Sequence, residues 1–322
     1  MPAMFEMSPE LIVILMFGFL IVFLFLGYPL GFTLFGVALV VGFLAHGTKM
    51  FLILYSQAFS VLTNYVLVAV PLFVFMGVMI EQSGIGKALF DTLEIWLHRL
   101  RGHLAIVVVL TGTALAACTG IIAGSVVMLG MIALPHMMSR GYSKEMACGA
   151  ICAGGTLGIL IPPSVMLVVY GPMAEISVGR LFMGAFGPGF VLSALYMTYI
   201  AVVSFIRPDL APSTYEENAV KVGWGKKSSI LLTSAMPIVL LMLAVLGSIF
   251  FGIAAPTEAA AVGAFVATVI ALARRGLTWA GLKRVTLESG KVTGMICVVA
   301  IGALAFTGIL PVSYTHLTLP TN

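Results

Sequence analysis

Apolar residues fill long uninterrupted stretches of this chain, and polar residues gather in short clusters between them. Residues 11–26 and 230–251 are long enough for a helix to cross about 30 Å of hydrocarbon. Their continuity excludes barrel strands, which would alternate. The pattern predicts spans over 11–26 and 30–45, parted by Gly27, Tyr28 and Pro29. One tilted or kinked span is expected over 51–80, since 30 residues exceed a straight crossing. Glu81 then reads as a solvated boundary residue. An amphipathic arm follows within 86–101, with Asp91, Glu94, His98 and Arg99 opposite Leu89, Leu93, Trp96 and Leu97. Such a helix is expected to lie along the interface.

Two shorter apolar segments, 103–117 and 124–138, predict a re-entrant hairpin over 103–138 with its tip near 119–125. Residues 146–170 read as a span broken between Gly158 and Pro163, because adjacent prolines lack N–H groups and clash with the preceding turn. Further spans are expected over 182–206, 230–251 and 257–273, with a polar loop at 207–229. A basic amphipathic connector over 274–291 precedes a last apolar run, 292–310.

Composition sharpens this into an all-α polytopic membrane protein. The chain is 61% hydrophobic and 9% charged with mean hydropathy +1.16, which excludes a soluble domain. The net charge of +4 does not point to nucleic acid, because the basic residues lie in loops. No Lys or Arg precedes the first span, so that span reads as retained rather than as a signal peptide. The four cysteines form no CxxC pair and read as small packing residues. The five histidines are scattered, and neither a metal centre nor an enzyme is indicated.

Charge placement orients the chain. With the N-terminus outside and the hairpin returning to its own side, only Lys49 and Arg180 of the 16 Lys and Arg fall outside. Gly27-Tyr28-Pro29 followed by Gly36 also echoes Ala254-Ala255-Pro256 followed by Gly263, at a constant offset of 227 (256 minus 29, 263 minus 36). The two turns lie on opposite sides in this topology, as in an inverted repeat of a secondary transporter. The expected division is a first repeat over 1–206, a loop over 207–229 and a partial second repeat over 230–310.

A hairpin tip and a mid-span break both end helices inside the membrane. Helix N-termini there attract anions, and freed carbonyls attract cations. Thr119, Gly120 and Ser125 at the tip, and Gly155, Thr156, Gly158, Pro162, Pro163 and Ser164 at the break, are the candidate substrate- and ion-binding residues. For any single glycine or hydroxyl, helix packing is the commoner role. Asn64 and Glu258 are further candidates, although Glu258 after Pro256-Thr257 fits a helix cap slightly better than a proton or ligand role.

PLFVFMGVMIEQSGI (71–85), GTLGILIPPSVMLVVYG (155–171) and APTEAAAVGA (255–264) resemble the large permease subunit of tripartite ATP-independent periplasmic (TRAP) transporters, the DctM type. The resemblance implies an elevator-type fold of two inverted repeats, each with a hairpin and a broken span. It implies a bacterial inner-membrane importer of small carboxylates such as C4-dicarboxylates, coupled to sodium held near Thr119 and Gly158, and on that reading substituting Ser125 and Thr156 is expected to raise the sodium requirement. It also implies a small permease partner and a periplasmic binding protein. The alternatives are a stand-alone ion-coupled anion permease of the same superfamily and a non-transporting membrane scaffold subunit. Many family members carry Ser-Gly-Ser at the first tip, where this chain has Thr119-Gly120-Ile121-Ile122. Residues 311–322, PVSYTHLTLPTN with the preceding Leu310 excluded from the count, read as outside the resemblance, so the second repeat is expected to be truncated.

Overall fold

The computed structural model describes residues 7–98, 100–212, 224–274 and 276–314. Their regular elements are all helices, with no strand among the described residues. Among the described residues, six helices are long and apolar enough to cross a membrane, and a seventh crossing is available if one bent pair counts as a span. The chain forms two compact units, residues 1–67 with 290–322, and residues 68–289.

The first unit contains α1 (Pro9–Phe25), α2 (Leu30–His46), α3 (Lys49–Leu62) and most of the last helix, α14 (Trp279–Tyr314). Ser8 caps α1 by accepting the Leu11 N–H at 3.4 Å, and Pro9 occupies the first turn, where no N–H is needed. Met16, Val37, Val41, Met50, Leu54, Phe306 and Ile309 form its core. A methyl group on Gly302 would lie 2.5 Å from the Gly31 carbonyl oxygen, so α2 and α14 meet backbone to backbone. Outward residues such as Ile14, Phe25 and Phe32 are apolar and exposed, as lipid-facing positions are.

Two expectations are corrected here. Residues 51–80 are not one span: α3 ends at Leu62, and a short 3₁₀ turn (Tyr65–Val68) precedes α4 (Ala69–Gln82). Asn64 accepts the Val66 N–H at 3.0 Å, a local bond that competes with the helix. Pro71 falls in the first turn of α4, where proline is tolerated. Residues 274–291 and 292–310 are likewise not a connector and a separate run. From Trp279 onward both stretches belong to the continuous helix α14, because nothing between Trp279 and Leu310 breaks it and isolated glycines are tolerated.

The second unit is built around α6 (His103–Thr119) and α7 (Ile122–Ser139), joined only by Gly120 and Ile121. Helix α6 is buried along nearly its whole length. The tip is thus two residues long, and the arms are 17 and 18 residues rather than the expected 14 or 15. Next come α8 (Lys144–Leu160) and α9 (Val165–Met173), bent by 40°. Helices α10 (Val178–Ile206), α11 (Trp224–Met242), a π turn (Leu243–Gly247), α12 (Ser248–Phe250) and α13 (Pro256–Ala273) follow. Glu258 accepts the Ala255 N–H at 2.9 Å and caps α13.

Helix α5 (Ile85–Leu97) lays its apolar side on protein rather than leaving it open to lipid. Ile85, Gly86, Leu89, Phe90 and Thr92 are buried, and a methyl on Gly86 would strike Met128 and Leu115 of the hairpin. The polar side of α5 is engaged as well, because Glu94 pairs with Arg140 at 3.1 Å and with His136 at 3.6 Å. Amphipathicity alone cannot separate a helix on lipid from one whose charges meet protein. The cysteines also divide: Cys118 is buried, but Cys148 and Cys152 are exposed on α8, so packing does not describe all four.

Candidate functional site

The hairpin tip stands directly against the break between α8 and α9. Gly120 has φ +60°, the left-handed conformation that closes α6, and a methyl there would lie 2.8 Å from the Pro163 carbonyl oxygen and 3.1 Å from the Val165 nitrogen. From the other side, a methyl on Gly77 of α4 would lie 2.5 Å from the Thr119 carbonyl oxygen. The tip is held between two backbones. Farther down, Gly155 faces Val126, and Gly112 and Gly154 bring α6 and α8 into main-chain contact.

The break supplies orphan groups. Pro162 and Pro163, joined by a cis bond, offer no N–H, so the carbonyls of Gly158 and Ile159 have no helical donor. Helix α6 also ends here with its last-turn carbonyls, of which, among the described residues, Ala116 alone is answered, by the Gly120 N–H at 3.4 Å. The first turns of α7 and α9 present N–H groups, and neither Ile121 nor Ser164 caps them with a side chain. Two carbonyl ends and two N–H ends therefore converge on Gly120 and Pro163–Val165. Such a cluster can hold a hard cation on oxygen and an anion on nitrogen.

The hydroxyls differ in what they offer. Thr119 and Ser125 bond to each other at 2.8 Å, and Ser125 donates to the Ile121 carbonyl at 3.0 Å, so this pair braces the tip. Ser164 is fully buried and its hydroxyl has no partner among the described residues. A buried hydroxyl left unpaired is costly, which marks Ser164 as the side chain free to meet a ligand. Thr156 is exposed and donates to the Ala153 carbonyl of its own helix at 2.9 Å.

The structure brings Thr119, Gly120, Ser125, Pro163 and Ser164 together. Gly158 lies beside Ile121, with room for a methyl at 3.6 Å from its carbonyl oxygen, but it sits inside α8, since the break begins at Ile161. Gly155 seats the hairpin arm rather than the tip. Asn64 belongs to the other unit and is used in its own turn. Glu258 is the exposed cap of α13. Glu81 is corrected from solvated to half-buried: a methyl on Gly124, in the first turn of α7, would strike both oxygens of its carboxylate. Gly77, Gly112 and Gly124 were missed as seats of the hairpin. Their signal is a lone glycine in an apolar helix, where a close backbone approach is the usual reason.

A helical membrane protein in which a hairpin tip abuts a broken helix is of the class that binds small solutes and ions between interrupted helices. The comparisons make this specific. A family model described as "Tripartite ATP-independent periplasmic transporter, DctM component" matches residues 17–320. The chain belongs to this family, which is one of transporter components and not of enzymes. It is 34% identical over 260 residues to a C4-dicarboxylate TRAP transporter large permease protein of Pseudomonas aeruginosa, covering 79% of this chain and 58% of the relative. It is 34% identical over 266 residues to the Vibrio cholerae protein of the same description, covering 82% and 56%. A third relative, an isethionate TRAP transporter permease protein of Oleidesulfovibrio alaskensis, is 29% identical over 311 residues, covering 94% and 47%. The chain thus spans about half the length of the curated relatives it matches. The family match also passes Leu310 and enters the stretch expected to lie outside the resemblance.

Proposed function

We propose that this chain is the large transmembrane subunit of a sodium-coupled, ATP-independent importer of small carboxylates. It would work in a bacterial inner membrane with its N-terminus periplasmic, beside a small permease subunit and a periplasmic binding protein that delivers the solute. Family membership and the relatives named for C4-dicarboxylates support the class. A relative named for isethionate keeps the anion class in view without choosing the acid.

The observation that carries the reading is the unpartnered, fully buried Ser164 hydroxyl beside the carbonyls freed by Pro162 and Pro163. Hard oxygen donors of this kind suit an alkali cation, and the N–H ends of α7 and α9 suit a carboxylate. Sodium would be held by the Gly158 and Ile159 carbonyls and the Ser164 hydroxyl, with Thr119 and Ser125 bracing the tip.

The test is uptake by the full-length carrier in proteoliposomes with its binding protein. Ser164→Ala should raise the sodium concentration for half-maximal uptake about tenfold, the loss of roughly one hydroxyl ligand. Thr156→Ala should leave it unchanged, which revises the expectation from sequence. Uptake that needs no sodium gradient, or a Ser164→Ala carrier with an unaltered requirement, would sink the site.

A further inference from the structure

The base of the hairpin, at the opposite end from the candidate site, is stitched by polar side chains where the tip is seated by glycines. Glu94 on α5 reaches the end of α7, with one carboxylate oxygen 3.1 Å from Arg140 and the other 3.6 Å from His136. The Glu94 side chain is 17% exposed and Arg140 24%, so the pair is largely shielded from solvent. The ring of His136 also stands edge-on to Phe90, one turn earlier on α5. Arg140 closes α7, and a cation there also suits the helix dipole.

The other face of α5 is tied to α11. The Thr92 hydroxyl donates to Ser234 at 3.0 Å, the Trp96 indole donates to the Lys227 carbonyl at 3.3 Å, and the Lys227 ammonium donates to the Ile95 carbonyl at 3.3 Å. Helix α5 therefore lies between the hairpin and α11, with Glu94 as its charged link to the hairpin. Neighbouring joints at the base do not involve α5: the Leu104 N–H donates to Tyr142 at 3.3 Å, and the Ser143 N–H donates to Leu210 at 3.0 Å. Burial pushes the Tyr142 phenol up to about 12, so that joint stays neutral across ordinary pH.

We propose that Glu94 is a positioning residue: by gripping Arg140 and His136 it makes α5 a strut that joins the hairpin to α11 as one body. Its bearing on transport rests on the function proposed above, since a hairpin that moves with its load must be joined to something at its base. The partly shielded, charge-assisted bond from Arg140 to Glu94 is stronger than an exposed surface pair.

The test is hydrogen exchange on the intact chain in detergent micelles, with sodium chloride as the only ligand. Without sodium, Glu94→Gln should speed exchange about tenfold in residues 85–97 and in 133–140, and Arg140→Gln should loosen the same two segments. Reversing the pair, Glu94→Arg with Arg140→Glu, should return both to within about threefold of the parent chain, a rescue that lost packing alone would not give. Loosening confined to 85–97, or a reversed pair no better than Glu94→Gln, overturns the proposal. Sodium-dependent protection of residues 119–126 in the parent chain reports separately on the binding site. Its absence would remove the site and leave the Glu94 result to stand or fall alone.

Discussion

Gly120→Ala should lower the uptake proposed above at least about tenfold. Two costs act at one atom. The left-handed backbone at φ +60° costs a residue with a Cβ about 1–2 kcal/mol. The new methyl would also press the Pro163 carbonyl at 2.8 Å and the Val165 nitrogen at 3.1 Å, both main chain and unable to rotate away. The tip must then lift from the break, and the two halves of the cluster separate. Gly130→Ala on α7 is the control, since nothing lies within 4 Å of the added methyl. Equal uptake in the two variants would show that the tip need not touch the break.

Gly112→Ala should destabilise the chain by about 2–3 kcal/mol, the upper range for overpacking. Its methyl would meet the Gly154 carbonyl oxygen at 2.6 Å and the Gly154 Cα at 2.7 Å, again backbone atoms with no rotamer to change. The reciprocal change is milder. A methyl on Gly154 meets the Val108 carbonyl at 3.1 Å and Leu129 at 3.4 Å. The helix gain of alanine over glycine, about 0.5–1 kcal/mol, offsets much of that cost but little of the first. Thermal unfolding in micelles should therefore rank Gly112→Ala well below Gly154→Ala. The opposite order would mean that α6 and α8 do not cross at these two residues.

Helix ends with chemical markers were legible in the sequence. Gly27 to Pro29 parts α1 from α2, and Pro162 with Pro163 ends α8 within a residue or two of the expected break. Boundaries without such markers were not. The α3 to α4 interruption depends on one asparagine side chain turning back on its own backbone, and its flanks are as apolar as any span. Within the site, residue types named the neighbourhood but not the roles. Ser125, Thr156 and Ser164 are alike in sequence, yet one braces the tip, one faces outward and one is buried without a partner. That distinction depends on which turn of which helix faces the neighbour. For the same reason Glu94 was legible only as part of the polar side of an amphipathic arm, because Arg140 lies 46 residues away along the chain.

The contact between Gly120 and Pro163–Val165 is made of main-chain atoms, and the main chain is common to every residue. A seam of that kind places few demands on the side chains around it, apart from the glycines that let it close. Substitutions near it can accumulate without altering the atoms that face each other. Ile121 illustrates this: it offers no hydroxyl, yet its carbonyl still receives the Ser125 hydroxyl. What such a seam holds fixed under sequence drift is a geometry of carbonyls and amides, while the side chains in view of the solute remain free to diversify.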